Sequence, residues 1–386
     1  MSKIEELIQQ YCPDGVEYVK LGEVAEVLRG KRLTKSDMLP DGKYPVFHGG
    51  IEPIGYFNAC NRDENTTMVI NVGASAGTIG FSKVQFWSSD GCFCISKSPI
   101  IFSKYLYYYL QTQEQKIKSR VRVAGIPTLD NKVLENLSIP IPPLAVQEEI
   151  VRILDKFSLL TAELEAELEL RRKQYDFYRN LLLSFDSDSD TVQWKKLGEV
   201  ATFRYGYTDK AKDLGTARYI RITDIDENGC LLQQNPKYID IKDDNQTYLL
   251  KRGDVLVART GATFGKTLYY NQEEPAIYAS FLIRIELNNS VLSRYYWHFS
   301  KSSTYWEQAN KYVSKAGQQQ FNSNAICKIS IPIPPLSEQQ RIVDILDRFD
   351  ALVNDLSAGL PAEIEARRKQ YEYYRDTLLT FKRKAE

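Results

Sequence analysis

The run Gly261-Ala-Thr-Phe-Gly265-Lys266-Thr267 has the residue types of a phosphate-cradling loop: glycines that let backbone N–H groups approach an anion, a lysine to meet its charge, and hydroxyls beside it. Its spacing argues against a nucleotide site, because that motif needs four residues between its glycines and this run has three. The aligned run Gly73-Ala-Ser-Ala-Gly77-Thr78 keeps both glycines and a hydroxyl, Ser75 against Thr263, and lacks the lysine. Two uses stay open for the pair: a tight turn between strands, or a glycine loop that lets backbone come close to DNA.

Other reactive groups form no site. His48 and His298 are the only histidines and stand at non-equivalent places, which predicts structural roles. The six cysteines have no Cys-x-x-Cys spacing, so neither zinc nor a disulfide framework is indicated. Cys92 and Cys94 alternate in a strand-like run, which predicts one buried and one exposed thiol. Pro142-Pro143 follows Ile rather than the Asn or Asp of an adenine methyltransferase motif, and Pro13-Asp14 with Glu17 and Lys20 has the wrong spacing for a metal-dependent nuclease core. No catalytic residue and no metal ligand is assigned.

Basic groups interleaved with aromatics are the remaining chemistry. The candidates for contact with DNA are Lys31, Arg32, Lys35, Ser75, Lys118, Arg120 and Arg122, then Arg221, Arg259, Thr263, Lys266, Lys315, Gln318 and Gln319. Lys and Arg neutralise phosphates, while Arg, Gln, Ser and Thr can also bond base edges. The same runs would also suit an ordinary solvated face. With 50 basic and 50 acidic residues the formal charge is zero, so a uniformly basic binder is excluded and any DNA contact must be local.

The elements that must position these groups come in duplicate. Ile139-Pro-Ile-Pro-Pro-Leu144 returns as Ile331-Pro-Ile-Pro-Pro-Leu336, Arg171-Arg-Lys-Gln-Tyr175 as Arg367-Arg-Lys-Gln-Tyr371, and Lys20-Leu-Gly-Glu-Val-Ala25 as Lys196-Leu-Gly-Glu-Val-Ala201. These repeats are offset by 192, 196 and 176 residues respectively, so the second globular head is longer by 16 residues and the second helix by four. Short runs rich in β-branched and aromatic residues, such as Thr67-Met-Val-Ile-Asn-Val72 and Asp254-Val-Leu-Val-Ala258, read as strands, and a helix follows in each head. After each proline cluster apolar residues recur at helical spacing, with Ile150, Phe157 and Leu164 in one copy and Ile342, Phe349 and Leu356 in the other predicted to pack the two helices together. The four extra residues near Gly359-Leu-Pro361 predict a stutter that locally unwinds the coil.

The expected fold is therefore α+β: two mixed α/β heads separated by two long helices in an antiparallel coiled coil, a pseudo-twofold tandem repeat. The expected divisions are 1–144, first head with a short N-terminal helix; 145–190, central helix and linker; 191–336, second head; and 337–386, C-terminal helix. The apolar face of Ile4, Leu7 and Ile8 is expected beside the end of the C-terminal helix near Phe381. A chain of 386 residues can bury two or more cores, and it shows neither a signal peptide nor an apolar run of membrane length, so a cytoplasmic place is expected.

This order of head, Ile-Pro-Ile-Pro-Pro-Leu and long Arg-Arg-Lys-Gln-Tyr helix, twice over, resembles the specificity (S) subunit of bacterial type I restriction-modification systems. The resemblance covers nearly the whole chain, and its specific part is the proline-helix repeat. It implies a non-catalytic reader of double-stranded DNA whose heads are target recognition domains. Each would read half of a split sequence, and the helices would set the gap. It implies two modification (methyltransferase) subunits and restriction (motor-nuclease) subunits as partners. It also implies no cofactor on this chain, with S-adenosylmethionine, ATP and Mg on the partners. The competing expectations are a subunit of a related system, an enzyme with an unrecognised nuclease or methyltransferase site, and a coiled-coil spacer whose heads bind protein.

Overall fold

The computed structural model describes residues 3–186, 191–314, 320–355 and 357–384, the side chain of Ala262 excepted. Lys315, Gln318, Gln319 and Leu356, named above, lie outside the described residues. The chain forms two compact units, Met1–Glu163 with Ile364–Glu386, and Leu164–Glu363.

In the first unit, Thr66–Ile70 is β-branched and apolar along most of its length and is buried at every position, as a strand covered on both faces must be. It lies inside a four-stranded antiparallel sheet in the order Val27–Arg29, Cys92–Ile95, Thr66–Ile70, Ile79–Ser82. A smaller sheet runs Gly55–Phe57, Tyr44–Phe47, Trp87–Ser88, its second pairing parallel. Tyr18–Lys20 pairs with Ser138–Pro140, so the strand before the head and the strand ending in the proline cluster close the head at its base. Cys92 and Cys94 are both buried, not one of the two: their strand is internal to the sheet, and elements cover each face.

The second unit repeats this plan with different residues. Its four-stranded sheet runs Ala201–Tyr205, Leu282–Leu287, Val255–Ala258, Thr267–Tyr269, its three-stranded sheet Tyr238–Ile239, Ala217–Ile220, Ala276–Tyr278, and Gln193–Lys196 pairs with Ser330–Ile333. Helices Ser103–Thr112 and Ser293–Phe299 occupy matching places, and Tyr105 and Tyr295 donate their hydroxyls to the carbonyls of Pro140 and Pro332 at 3.1 and 3.0 Å.

The long helix Leu144–Leu182 has 39 residues, a length of about 58 Å at 1.5 Å per residue. In the first unit Phe157 stacks on Tyr374 at 5.2 Å; in the second, Tyr175 and Tyr178 stack on Phe349 at 6.2 and 5.4 Å. Each unit thus packs the long helix against the second helical copy. Ile150 and Ile342 are fully buried in the cores of their units, while Leu164 is partly buried.

The second copy is not a continuous helix with a stutter. It is two helices, Leu336–Asn354 and Leu360–Leu378. Asp355 adopts an extended conformation, and its carboxylate accepts bonds from the N–H and hydroxyl of Ser357 and from the N–H of Ala358, ending one helix by offering its backbone a local alternative. Pro361, in the first turn of the next helix, stands where its missing N–H costs nothing.

The N-terminal helix Lys3–Tyr11 buries Ile4 in the first core, and Leu7, Ile8, Leu378 and Phe381 pack against that core. Val16 N–H donates to the Lys382 carbonyl at 2.8 Å, and Tyr18 Oη to the Phe381 carbonyl at 3.1 Å. The two ends of the chain thus meet within one unit.

A buried glutamine ties each helix start to its head. Gln147 accepts from Phe102 N–H and donates to the carbonyls of Ile100 and Pro142, at 2.8, 2.8 and 2.7 Å. Gln339 makes the same three bonds to Leu292, Ser290 and Pro334 at 2.9, 2.8 and 2.9 Å. Removing either amide leaves three backbone groups without their partner, so Gln147→Ala and Gln339→Ala are each expected to cost about 3 kcal/mol. Urea denaturation checks this; a loss below about 1 kcal/mol in either would contradict the role assigned to the amide.

Candidate nucleic-acid interface

In the first head the strands of both sheets deliver their loops to one end. Val27–Arg29 exits into Gly30 and Lys31, Tyr44–Phe47 into His48 and Gly49, and Thr66–Ile70 into the 73–77 turn, while Cys92–Ile95 is entered there from Asp90 and Gly91. Backbone bonds lock these loops to one another: Lys31 N–H to the Ser88 carbonyl at 2.9 Å, Asn71 N–H to Gly91 at 3.2 Å, and Gly73 N–H to Pro127 at 2.9 Å. The glycine run is a strand-to-strand turn: Gly77 N–H returns to the Ile70 carbonyl at 2.8 Å, and Gly73 and Gly77 have φ of +88° and +90°, which side chains disfavour. Among the described residues nothing lies within 4 Å of where a Cβ on Gly73 would sit, so this backbone is also open to an approaching surface. Both uses read from the sequence are compatible in one loop.

The 121–128 loop completes the tip. Arg122 and Thr128 exchange backbone bonds of 2.9 and 3.0 Å, and between them Val123 and Ile126 are 80% and 71% exposed. Arg120 and Arg122 are exposed on the same loop, as are Lys31, Arg32 and Lys35 on the neighbouring one. Ser75 is half-buried in the glycine turn. Lys118 packs against Gly77 and is ion-paired with Glu114 at 2.6 Å, so part of its charge is already answered.

The second head builds the same end. Gly265 N–H returns to the Ala258 carbonyl at 2.8 Å, Thr263 and Lys266 sit half-buried in the turn, and Phe321 N–H bonds the Arg259 carbonyl at 2.7 Å as Leu129 N–H bonds Asn71 in the first head. The Arg259 guanidinium lies 5.2 Å from the Tyr205 ring and 5.4 Å from the Phe281 ring, and its Nε donates to the Ser280 carbonyl at 3.0 Å. Among the described residues it has no ion pair, so a pre-aimed guanidinium edge is left for a ligand. Arg221 reaches the same end but donates twice to Asp224, at 3.1 and 2.7 Å, and these bonds hold its pKa above the usual arginine value.

The sequence does not single out several members of this end: Gly49 at φ +67°, Asp90, Tyr205 and Phe281. Only sheet register brings them together. The alternation of aromatic and basic residues around Arg204-Tyr205 and the Gly49-Gly50 pair are the available signals.

His298 lies elsewhere, fully buried at the base of the second head. Its Nε2 is 2.7 Å from Asp347 and its Nδ1 3.2 Å from the Tyr175 hydroxyl, the pattern of a neutral ring that donates through Nε2 and accepts through Nδ1. Burial pulls its pKa down to about 4, against the opposing pull of Asp347. In the first unit Tyr108 takes the same place and donates to Asp155 at 2.5 Å.

Comparison with known proteins gives this arrangement a context. The type I restriction modification DNA specificity domain matches residues 13–170 and 189–366. The chain is 30% identical over 384 residues to a Haemophilus influenzae protein provisionally named a type I restriction enzyme specificity subunit, covering 95% of this chain and 96% of that one. It is 34% identical to the Escherichia coli EcoR124I/EcoR124II specificity subunit over 72% of this chain and 70% of that one. In fold it is similar to the crystal structure of a type I restriction-modification S subunit from M. genitalium, with a TM-score of 0.62 at 18% identity, covering 95% of this chain and 96% of that one.

The unfolded chain is half protonated at His298 near pH 6.5, whereas the folded ring resists protonation until about 4. Stability is therefore lost as pH falls through that window, by about 2 kcal/mol at pH 5. Urea midpoints at pH 7 and pH 5 check this, and His298→Gln is expected to shrink the difference; an undiminished difference in the variant would assign the loss to other groups.

Proposed function

The chain belongs to the family of type I restriction-modification DNA specificity subunits, and from that premise we propose that each head reads one half of a bipartite target through the loop end described above. The observation that carries this reading is the duplication of that end: a glycine turn, a closing loop and exposed or pre-aimed basic groups recur in both heads on different residues. A shared frame with divergent tips is what reading two different half-sites requires.

In this reading the chain performs no chemistry. Methylation and cleavage belong to two modification subunits and to restriction subunits, which bring S-adenosylmethionine, ATP and Mg. The long helix, about 58 Å or the rise of roughly 17 base pairs at 3.4 Å each, sets the unspecified gap. Lys31, Arg32, Lys35, Arg120 and Arg122 answer phosphates, Lys118 and Lys266 add charge beside the turns, and Ser75 and Thr263 supply polar contacts; Lys315, Gln318 and Gln319, outside the described residues, are carried as candidates from their residue types alone. Arg221, clamped by Asp224, shapes its loop as much as it meets DNA. No helix among the described residues is long and apolar enough to cross a membrane.

The test is an exchange. Replacing residues 26–138 with the corresponding segment of another family member, then assembling the chain with its modification subunits and sequencing the methylated DNA, should change one half-site and leave the other and the gap intact. A change in both halves, or methylation by the chain alone, would overturn the reading.

Single residues separate base readers from phosphate contacts. Arg259, held between two rings, is the strongest candidate for a bidentate bond to guanine, so Arg259→Ala should cost about 1–3 kcal/mol of binding and relax one position of the second half-site. Arg120→Ala should weaken binding evenly across sequences and lower the salt-dependence slope by about one. Binding measured at several salt concentrations on site variants distinguishes the two; identical profiles for both would remove the distinction.

A further inference from the structure

We propose that the second unit carries a binding site for a phosphate-class oxyanion, in a cavity of about 230 Å³ where Arg172 and Arg179 of the long helix face Lys266 and Lys301 of the head. The cavity shares Lys266 with the glycine turn, but the proposal does not depend on the base-reading role given to the loop end.

The charge of the wall is unbalanced. Against these four cations the cavity presents two carboxylates, Asp176 and Glu227, and Asp176 is already bonded to Arg179 Nη2 at 2.6 Å. Among the described residues Arg172 and Lys266 have no ion pair, and the carboxylate paired with Lys301, Asp350, is 3.7 Å away and not part of the cavity wall.

Behind the wall, Arg179 Nε and Trp297 Nε1 are buried without a hydrogen-bond partner among the described residues. The indole N–H lies against Gly229, which lines the cavity at φ +72° and whose missing Cβ would come within 3.2 Å of it. Lys301 Nζ sits 3.1 Å from the centre of the Trp297 ring, and burial pulls this ammonium down to about 8. Arginine and lysine N–H groups only donate, and a species that only accepts is the complement of the four that line the cavity.

The repeat does not require this chemistry. At the matching places of the first unit stand Gln111 for Lys301, Tyr107 for Trp297 and Thr78 for Lys266, and Gln111 is satisfied by the hydroxyls of Tyr107 and Tyr371 at 2.8 and 3.0 Å. Of the corresponding cations Arg375, matching Arg179, and Arg368, matching Arg172, are kept. Lys266 and Lys301, which complete the cationic wall, thus belong to the second unit alone. A phosphate could come from a DNA strand or from a free nucleotide, and the cavity has room for more than the phosphate alone.

The full-length chain is titrated with inorganic phosphate against chloride at equal ionic strength, following tryptophan fluorescence, since Trp306 lines the cavity and Trp297 abuts it. A saturable change is expected in the wild type, weakened at least about tenfold in Lys266→Ala and in Lys301→Met, and unchanged in Lys132→Ala on the first head. Lys266→Ala guards against misfolding, because its side chain is half-buried and, among the described residues, has no ion pair. Displacement of phosphate by duplex DNA, with a salt slope lowered by about one in Lys266→Ala, identifies a strand phosphate; tighter binding of AMP without displacement by DNA identifies a free nucleotide. No saturable response beyond chloride, or equal binding by the wild type and both cavity variants, overturns the proposal.

Discussion

The frame depends on one buried amide used twice. A chain that leaves a sheet through Ile-Pro-Ile-Pro-Pro and begins a helix has no regular way to pair the backbone groups it abandons, since proline supplies no N–H. Gln147 and Gln339 resolve this by bonding the turn before one helix and the exit of the strand before the other at once. With those carbonyls and amides satisfied, the helix start is fixed to the head, the adjoining Tyr105 or Tyr295 can seal the proline carbonyl, and the sheets above are held in a defined direction from the helix. The heads can then change their loops without disturbing their base.

On that base the two units show how much side-chain chemistry one backbone plan accepts. The carboxylate of Asp155 meets Tyr108 and Lys104, and that of Asp347 meets His298 and Arg294, with the same purpose of tying the head helix to the frame. A phenol needs no proton bookkeeping near neutrality, whereas an imidazole does, so the second unit carries a pH sensitivity at this place that the first does not. The extra cations around Trp297 belong to the same divergence.

Much of the frame is legible in the chain because repetition exposes it: the proline clusters, the apolar spacing of the helices and the N-terminal face of Ile4, Leu7 and Ile8 all fix local or nearest-repeat contacts. The interface is legible only in parts. Gly73, Gly77, Gly261 and Gly265 announce turns through their spacing, but that Lys31, Asp90, Gly73 and Pro127 share one end follows from sheet register, which sequence alone leaves open. Alternation misplaces one of Cys92 and Cys94 because period two distinguishes the faces of a strand without saying whether both are covered. Residue counting predicts a stutter where the helix in fact breaks at Asp355, because it detects an insertion but not the aspartate that caps it.

That break makes the two helical copies unequal in how they transmit a change of length. In the unbroken Leu144–Leu182 helix every inserted or deleted residue turns all later side chains by about 100°, so Tyr175 and Leu183 would swing out of their cores together. At 355–359 the helical phase is discarded and begun again, and Ile364 and Leu379 find their places through their own burial instead. A change of any length can therefore be absorbed at the break, whereas in the unbroken helix only steps close to a whole number of turns, such as four residues, leave the later side chains near their places.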